Sequence, residues 1–159
     1  MNVPWTVPEP GQPADPNVTF LDPDQLTAVS HSLAAASRSD WMTMDERVLG
    51  QLPPRGNGTG DPASIPREVR VRSLYDMTCM KDSAAMDQLL SCTRTGQEIR
   101  FTEPGAMTLR IADRDALLIQ ASPPERTTVL IRDPQTVTFW RTIFDVMWSH
   151  AMPLPGSPS

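Results

Sequence analysis

From Glu68 to Leu154 an unbroken series of local signals constrains the fold more tightly than anything else in the chain. It opens with Glu68-Val-Arg-Val-Arg-Ser-Leu-Tyr-Asp76 and continues through Gly96-Gln-Glu-Ile-Arg-Phe101 and Met107-Thr-Leu-Arg-Ile-Ala-Asp-Arg-Asp-Ala-Leu-Leu-Ile119. It closes on Phe139 to Leu154. Val69, Val71, Ser73 and Tyr75 alternate with Arg70, Arg72 and Leu74, a period of two that predicts a strand. Asp82 or Ser83 can cap a following helix whose Met86, Leu89 and Leu90 turn toward a sheet, with Gly96 as its stop. Short strands are predicted at about 98–102, 107–112, 115–120 and 127–132, with a tight turn at Asp113-Arg114 between the middle two. Asp133-Pro134 then opens a helix with Val137, Trp140, Phe144, Met147 and Trp148 at helical spacing.

Upstream, Asp22-Pro23-Asp24-Gln25 combines an Asp cap, a proline at the first helical position and a Gln at the third. Apolar Leu26, Val29 and Leu33 follow, predicting a helix at about 23–37. The 17 prolines concentrate at 4–16, 53–66 and 153–158, where they mark tails and a loop. The expected organisation is a Pro-rich disordered tail over 1–18, one α/β domain over 19–154 and a short tail over 155–159. A Pro/Gly-rich loop at 52–66 interrupts the domain, either as a lid over a pocket or as a plain connection. A length of 159 residues with 39% hydrophobic content suits one domain with a real core.

A formal net charge of −5, with Lys81 the only lysine, argues against direct nucleic-acid binding, which draws on clustered cations. No run approaches the roughly 18 apolar residues of a membrane helix, and no basic or apolar signal opens the chain, so a cytoplasmic protein without a membrane partner is expected. Cys79 and Cys92 are then expected to stay reduced. His31 and His150 lack a local Ser or Cys partner, and no phosphate loop or metal cluster stands out, so neither a catalytic residue nor a cofactor or metal is predicted.

In its order of elements the segment resembles the effector-sensing domain of actinobacterial TrmB-like and LuxR-type transcription regulators. There a strand ending in Tyr-Asp, a short helix, a Gly-Glu-Glu-Val-Arg strand, an Ile-Val-Asp-Arg hairpin and an aromatic helix follow one another. By the same resemblance Asp40-Trp-Met-Thr-Met-Asp45 is the first strand of the sheet, its C-terminal end facing the ligand crevice. The resemblance implies an α/β fold, a mixed β-sheet flanked by helices and similar to one phospholipase-D-like half. Active members of that fold carry His-x-Lys and then an Asp five residues after the Lys. Counting back from Asp113, the Lys position holds Thr108 and the His position Ala106, so an activated nucleophile is missing and phosphodiesterase activity is rejected. The family's helix-turn-helix is also missing from this sequence, which leads to the expectation of a stand-alone sensing domain.

The candidate ligand site takes Tyr75 as a hydrogen-bonding wall and Asp76 as a polar anchor at the strand end where open α/β sheets bind ligands. The alternative is that Tyr75 packs and Asp76 starts a turn. Arg70, Arg72 and Arg110 alternate on strands and are candidates to meet around an anion, against the alternative of solvated surface arginines. Thr108 shares a face with Arg110, and Asp113 either joins the site or bonds its own backbone in the turn. The resulting functional expectation is a regulator-type domain that binds a small molecule, a peptide or a partner protein, as a homodimer or paired with a related regulator. Two alternatives stay open. One is an enzyme or accessory protein of a natural-product pathway working in the same crevice; the other is a remnant with no ligand, which a closed crevice at Tyr75, Asp76 and Thr108 would support.

Overall fold

The period-two segments form one eight-stranded mixed sheet in a computed structural model that describes residues 15–46, 65–103, 107–121 and 127–156. In chain order the elements begin with β1 (Val18–Leu21), a 3-10 turn (Pro23–Gln25), α1 (Leu26–Ala36), β2 (Asp40–Asp45) and β3 (Arg70–Asp76). A second 3-10 turn (Met77–Lys81), α2 (Ser83–Thr93), β4 (Glu98–Thr102), β5 (Thr108–Ala112) and β6 (Ala116–Gln120) follow. The chain then forms β7 (Thr128–Ile131), α3 (Pro134–His150) and β8 (Met152–Pro153). Spatially the strands run β1-β7-β6-β5-β2-β3-β4-β8. β2, β3 and β4 are mutually parallel; the β5–β6–β7–β1 side and the short β8 are antiparallel additions.

Local chemistry explains the boundaries. The Asp82 side chain accepts from the N–H groups of Ala84 and Ala85 and starts α2, while Gly96 takes the positive φ of 89° needed in the turn after it. Asp133 caps α3 through the Thr136 N–H, with Pro134 in the first turn, as the sequence predicts. The helix predicted at 23–37 is shorter. Its opening is a 3-10 turn closed when Gln25 Oε1 accepts from the Asp22 N–H, and α1 proper spans Leu26–Ala36.

Two predictions shift. Asp40–Asp45 is the second strand along the chain, because Val18-Thr-Phe-Leu21 pairs antiparallel with β7 as an edge strand. The expected tail over 1–18 is ordered from Asp15, whose side chain accepts from the Asn17 N–H; residues 1–14 lie outside the described residues. Most of the expected loop at 52–66 also lies outside them, although Ile65 is buried beside Trp41 and Val71 under α1.

Alternation along the strands divides the core between two faces. One face carries Trp41, Val71, Leu118, Ile99 and Phe101 beneath α1 and α2. The other carries Met42, Met44, Leu74, Leu109, Ile111 and Leu117 beneath Val137, Phe144 and Trp148 of α3. A row of facing residues on the α3 side runs Leu74–Met44–Leu109–Ile119–Val129–Phe20, reaching the outer edge at β1. Among the described residues no helix is long and apolar enough to cross a membrane.

Candidate functional site

The parallel register of β2 and β3 sets Asp45 opposite Tyr75 at their C-terminal ends. On the antiparallel neighbour, Arg110 stands opposite Thr43, and its side chain reaches along β2 to Asp45. Arg110 donates to Asp45 Oδ1 at 2.8 Å and to the carbonyls of Leu109 and Met44 at 2.9 and 3.3 Å, with both partners of the ion pair buried. Thr43 Oγ1 and Ser73 Oγ lie 2.8 Å apart on the same face. Burial pushes the Asp45 carboxyl up, and the charge and hydrogen bond of Arg110 pull it back down. Burial also raises the Tyr75 hydroxyl, with Asp45 adding to the shift, so it stays protonated. That hydroxyl is enclosed, without a hydrogen-bond partner among the described residues.

Three of the predicted site residues, Tyr75, Thr108 and Arg110, therefore share this face and end of the sheet. The remaining three do not join them. Arg72 lies on the α3 face, 5.3 Å from the Phe144 ring centroid and 5.6 Å from that of Trp148, and donates to Asp145 at 2.9 Å. It ties β3 to α3, so Arg72 and Arg110 do not meet around one ligand; Arg70 is engaged by Glu98 at 2.7 Å. Asp76 is buried, and its Oδ1 accepts from the N–H and hydroxyl of Thr78 at 2.8 Å each, so it caps a turn. Asp113 stands at the opposite end of β5, with φ at 52°. Its carboxylate accepts from the N–H groups of Arg38, Ser39 and Asp40 at 2.8 to 2.9 Å and from the Ser39 hydroxyl at 3.0 Å. The expectation that it bonds its own turn is corrected: it clamps the connection from α1 to β2.

The crevice predicted at Tyr75 and Asp76 is thus closed, because both side chains are buried, Asp76 is bonded to Thr78 and the neighbouring Asp45 is paired with Arg110, which at this point is the outcome the remnant reading expects. Asp45 is a partner in this site that no motif marks. The available signal was a carboxylate ending the apolar run Trp41-Met-Thr-Met44, which requires a buried counter-charge.

An open concavity lies elsewhere. α3 begins over β7 and ends beside β4, where Arg100 donates to the Trp148 carbonyl. Beside the first half of α3 the sheet retains a groove of about 550 Å³, floored by Ile119, Val129 and Ile131 and walled by Phe139 and Trp140. The two rings meet edge to face at 6.0 Å. Asp133, Gln135, Thr136 and Thr127 contribute the polar part of the lining. No motif marks this site, because its floor residues read as ordinary strand positions and its walls as ordinary helix positions.

No protein-family model matches the chain. A search of curated proteins likewise finds no match. Among solved structures the chain is similar to TrmBL2, an archaeal chromatin protein with a novel mode of DNA binding, at 14% identity and a TM-score of 0.64. The match covers 86% of this chain and 54% of that one, so the chain spans about half of TrmBL2. It is similar to Nuc of Salmonella typhimurium, a phospholipase D family member, at 9% identity and a TM-score of 0.60, over 86% of this chain and 95% of the other. NucT from Helicobacter pylori gives 9% identity and 0.60, over 86% and 96%. These likenesses are of fold: the chain is an α/β unit of the phospholipase-D-like kind, shared with a TrmB-like protein. On that scaffold Thr108 opens β5 and Asp113 follows five residues later in the turn; Ala106 lies outside the described residues.

Proposed function

We propose that the protein is a regulator-type sensing domain, of the kind found in TrmB-like and LuxR-type regulators, that binds a small molecule or a partner protein and does not itself contact DNA. The observation that carries this reading is the groove beside α3. Its volume, about 550 Å³, falls within the roughly 300–1,000 Å³ of ordinary ligand sites, and its lining is mainly apolar, with Asp133, Gln135 and Thr136 at the start of α3 and Thr127 at the opposite end of β7. Thr108 at the lysine position and a carboxylate locked to Arg110 support binding over phosphoryl chemistry. The net charge of −5 weighs against phosphate-backbone contact.

Native mass spectrometry of the protein purified from its own host tests the reading. The expected result is a bound small molecule or polypeptide that gentle denaturation releases unchanged, and that a groove-filling Val129→Trp variant no longer carries. Recovery of a chemically altered molecule after incubation would instead favour the alternative of a biosynthetic enzyme. A protein that is empty and has no partner would overturn the sensing reading.

A further inference from the structure

The groove beside α3 has a chemical polarity that narrows what it accepts. Its floor continues the cross-sheet apolar row, since Ile119 and Val129 are register partners and Val129 also faces Phe20 on the edge strand. Phe20 is 43% exposed and Phe139 59%, so apolar surface extends from the floor to both margins. Such continuity of exposed apolar surface is uncommon on a protein without a ligand or partner there. Phe139 and Trp140 stand edge to face, so one ring can stack on a planar apolar body while the other borders its edge.

Asp133 is the one charged residue among the described residues that line the groove. Its Oδ2 is occupied, accepting from the Thr136 N–H at 2.9 Å and the Thr136 hydroxyl at 2.7 Å. Its Oδ1 receives no hydrogen bond from the described residues, leaving a carboxylate oxygen able to accept from a ligand. The hydroxyl and N–H of Thr136 hold the Asp133 carboxyl below its usual range, so it remains ionised at neutral pH.

We infer that the groove takes a planar apolar molecule bearing an amine or another hydrogen-bond donor at one end, with the donor on Asp133 and the apolar body between Ile119, Val129, Phe139 and Trp140. This inference rests on the groove being the ligand site. An acid of the same shape is disfavoured, because its charge would face the carboxylate. The start of α3 carries a partial positive charge that offsets part of this effect. The expected discrimination is therefore on the order of tenfold, the attraction of one head group and the repulsion of the other taken together.

Calorimetric titration with 1-naphthylmethylammonium and with 1-naphthylacetate, which share a ring system and differ in charge, tests the class directly. The ammonium compound is expected to bind about tenfold tighter, with methyl NMR shifts at Ile119 and Val129. In Asp133→Asn, which keeps a good helix cap, the two affinities are expected to converge. Equal binding to the native protein, or a preference that Asp133→Asn leaves intact, overturns the donor-bearing class while methyl shifts at the floor keep the groove reading. Absence of binding by either compound overturns both.

Discussion

Asp113 shows how a single side chain can hold two distant parts of this chain in place. Three backbone N–H groups and one hydroxyl converge on its carboxylate, and its positive φ is one that Asp tolerates better than most residues. The carbonyl of the same residue accepts from Arg141 of α3, so the turn after β5 joins α1, β2 and α3. Asp113→Ala orphans these donors and is expected to cost about 3 kcal/mol, with Asp113→Asn costing about half as much, measured by urea denaturation at pH 7. The titration has a definite sign. Burial pushes the carboxyl up, but the N–H donors of Asp40, Ser39 and Arg38 together hold it below the ordinary aspartate value. Its contribution is present above that value and lost as pH falls through the folded pKa. The stability gap between the native protein and Asp113→Asn should therefore narrow in acid, and a gap unchanged down to pH 2 would contradict this assignment.

Where elements meet, the buried Asp45–Arg110 pair joins β2 to β5 across the middle of the sheet. Removing one partner leaves a stranded charge, so Asp45→Ala should cost about 3–5 kcal/mol in chemical denaturation. Replacing both, with Asp45→Leu and Arg110→Met, should recover most of that loss, because an apolar pair of similar volume carries no desolvation cost. A double variant as unstable as the single would assign the pair a positioning role beyond charge balance. Five strands, from β3 through β7, were legible in the sequence through alternation and turn residues, β2 only through the family resemblance, and α2 and α3 through their Asp caps. β1 and β8 were not, since four and two residues respectively give too little alternation to distinguish an edge strand from a tail. The site was less legible. Strand periodicity put Thr108 and Arg110 on one face correctly, but only the register brings Asp45 to them, and only the path of α3 leaves the groove open.

At the scale of the whole molecule, the outward side of α3 bears on association. Gln135, Phe139, Thr142, Val146 and Ser149 recur there at helical spacing, all exposed and none charged. Depletion of charge is the compositional mark of an interface core, and in a protein of net charge −5 a neutral face is where two copies can approach. Phe139 and Val146 lie three and four residues on either side of Thr142, the midpoint of α3. A two-fold antiparallel arrangement would set the Phe139 of one copy against the Val146 of the other, so the partner would border the groove that Phe139 walls. Under the proposed reading, light scattering gives a dimer that Val146→Asp dissociates while leaving the circular dichroism spectrum intact; a monomeric native protein would remove the homodimer from the reading.

The strand order also sets where the described chain enters and leaves the sheet. β1 and β8 form opposite margins of the sheet, seven strand spacings apart, or roughly 34 Å at about 4.8 Å each. A module fused ahead of Asp15 would emerge at the margin where Phe20 adjoins the groove. One fused after Gly156 would emerge at the far margin, beside Arg100 and Phe101. The unit is therefore directional: under the proposed reading, the chain enters at the margin beside the groove and leaves at the margin farthest from it.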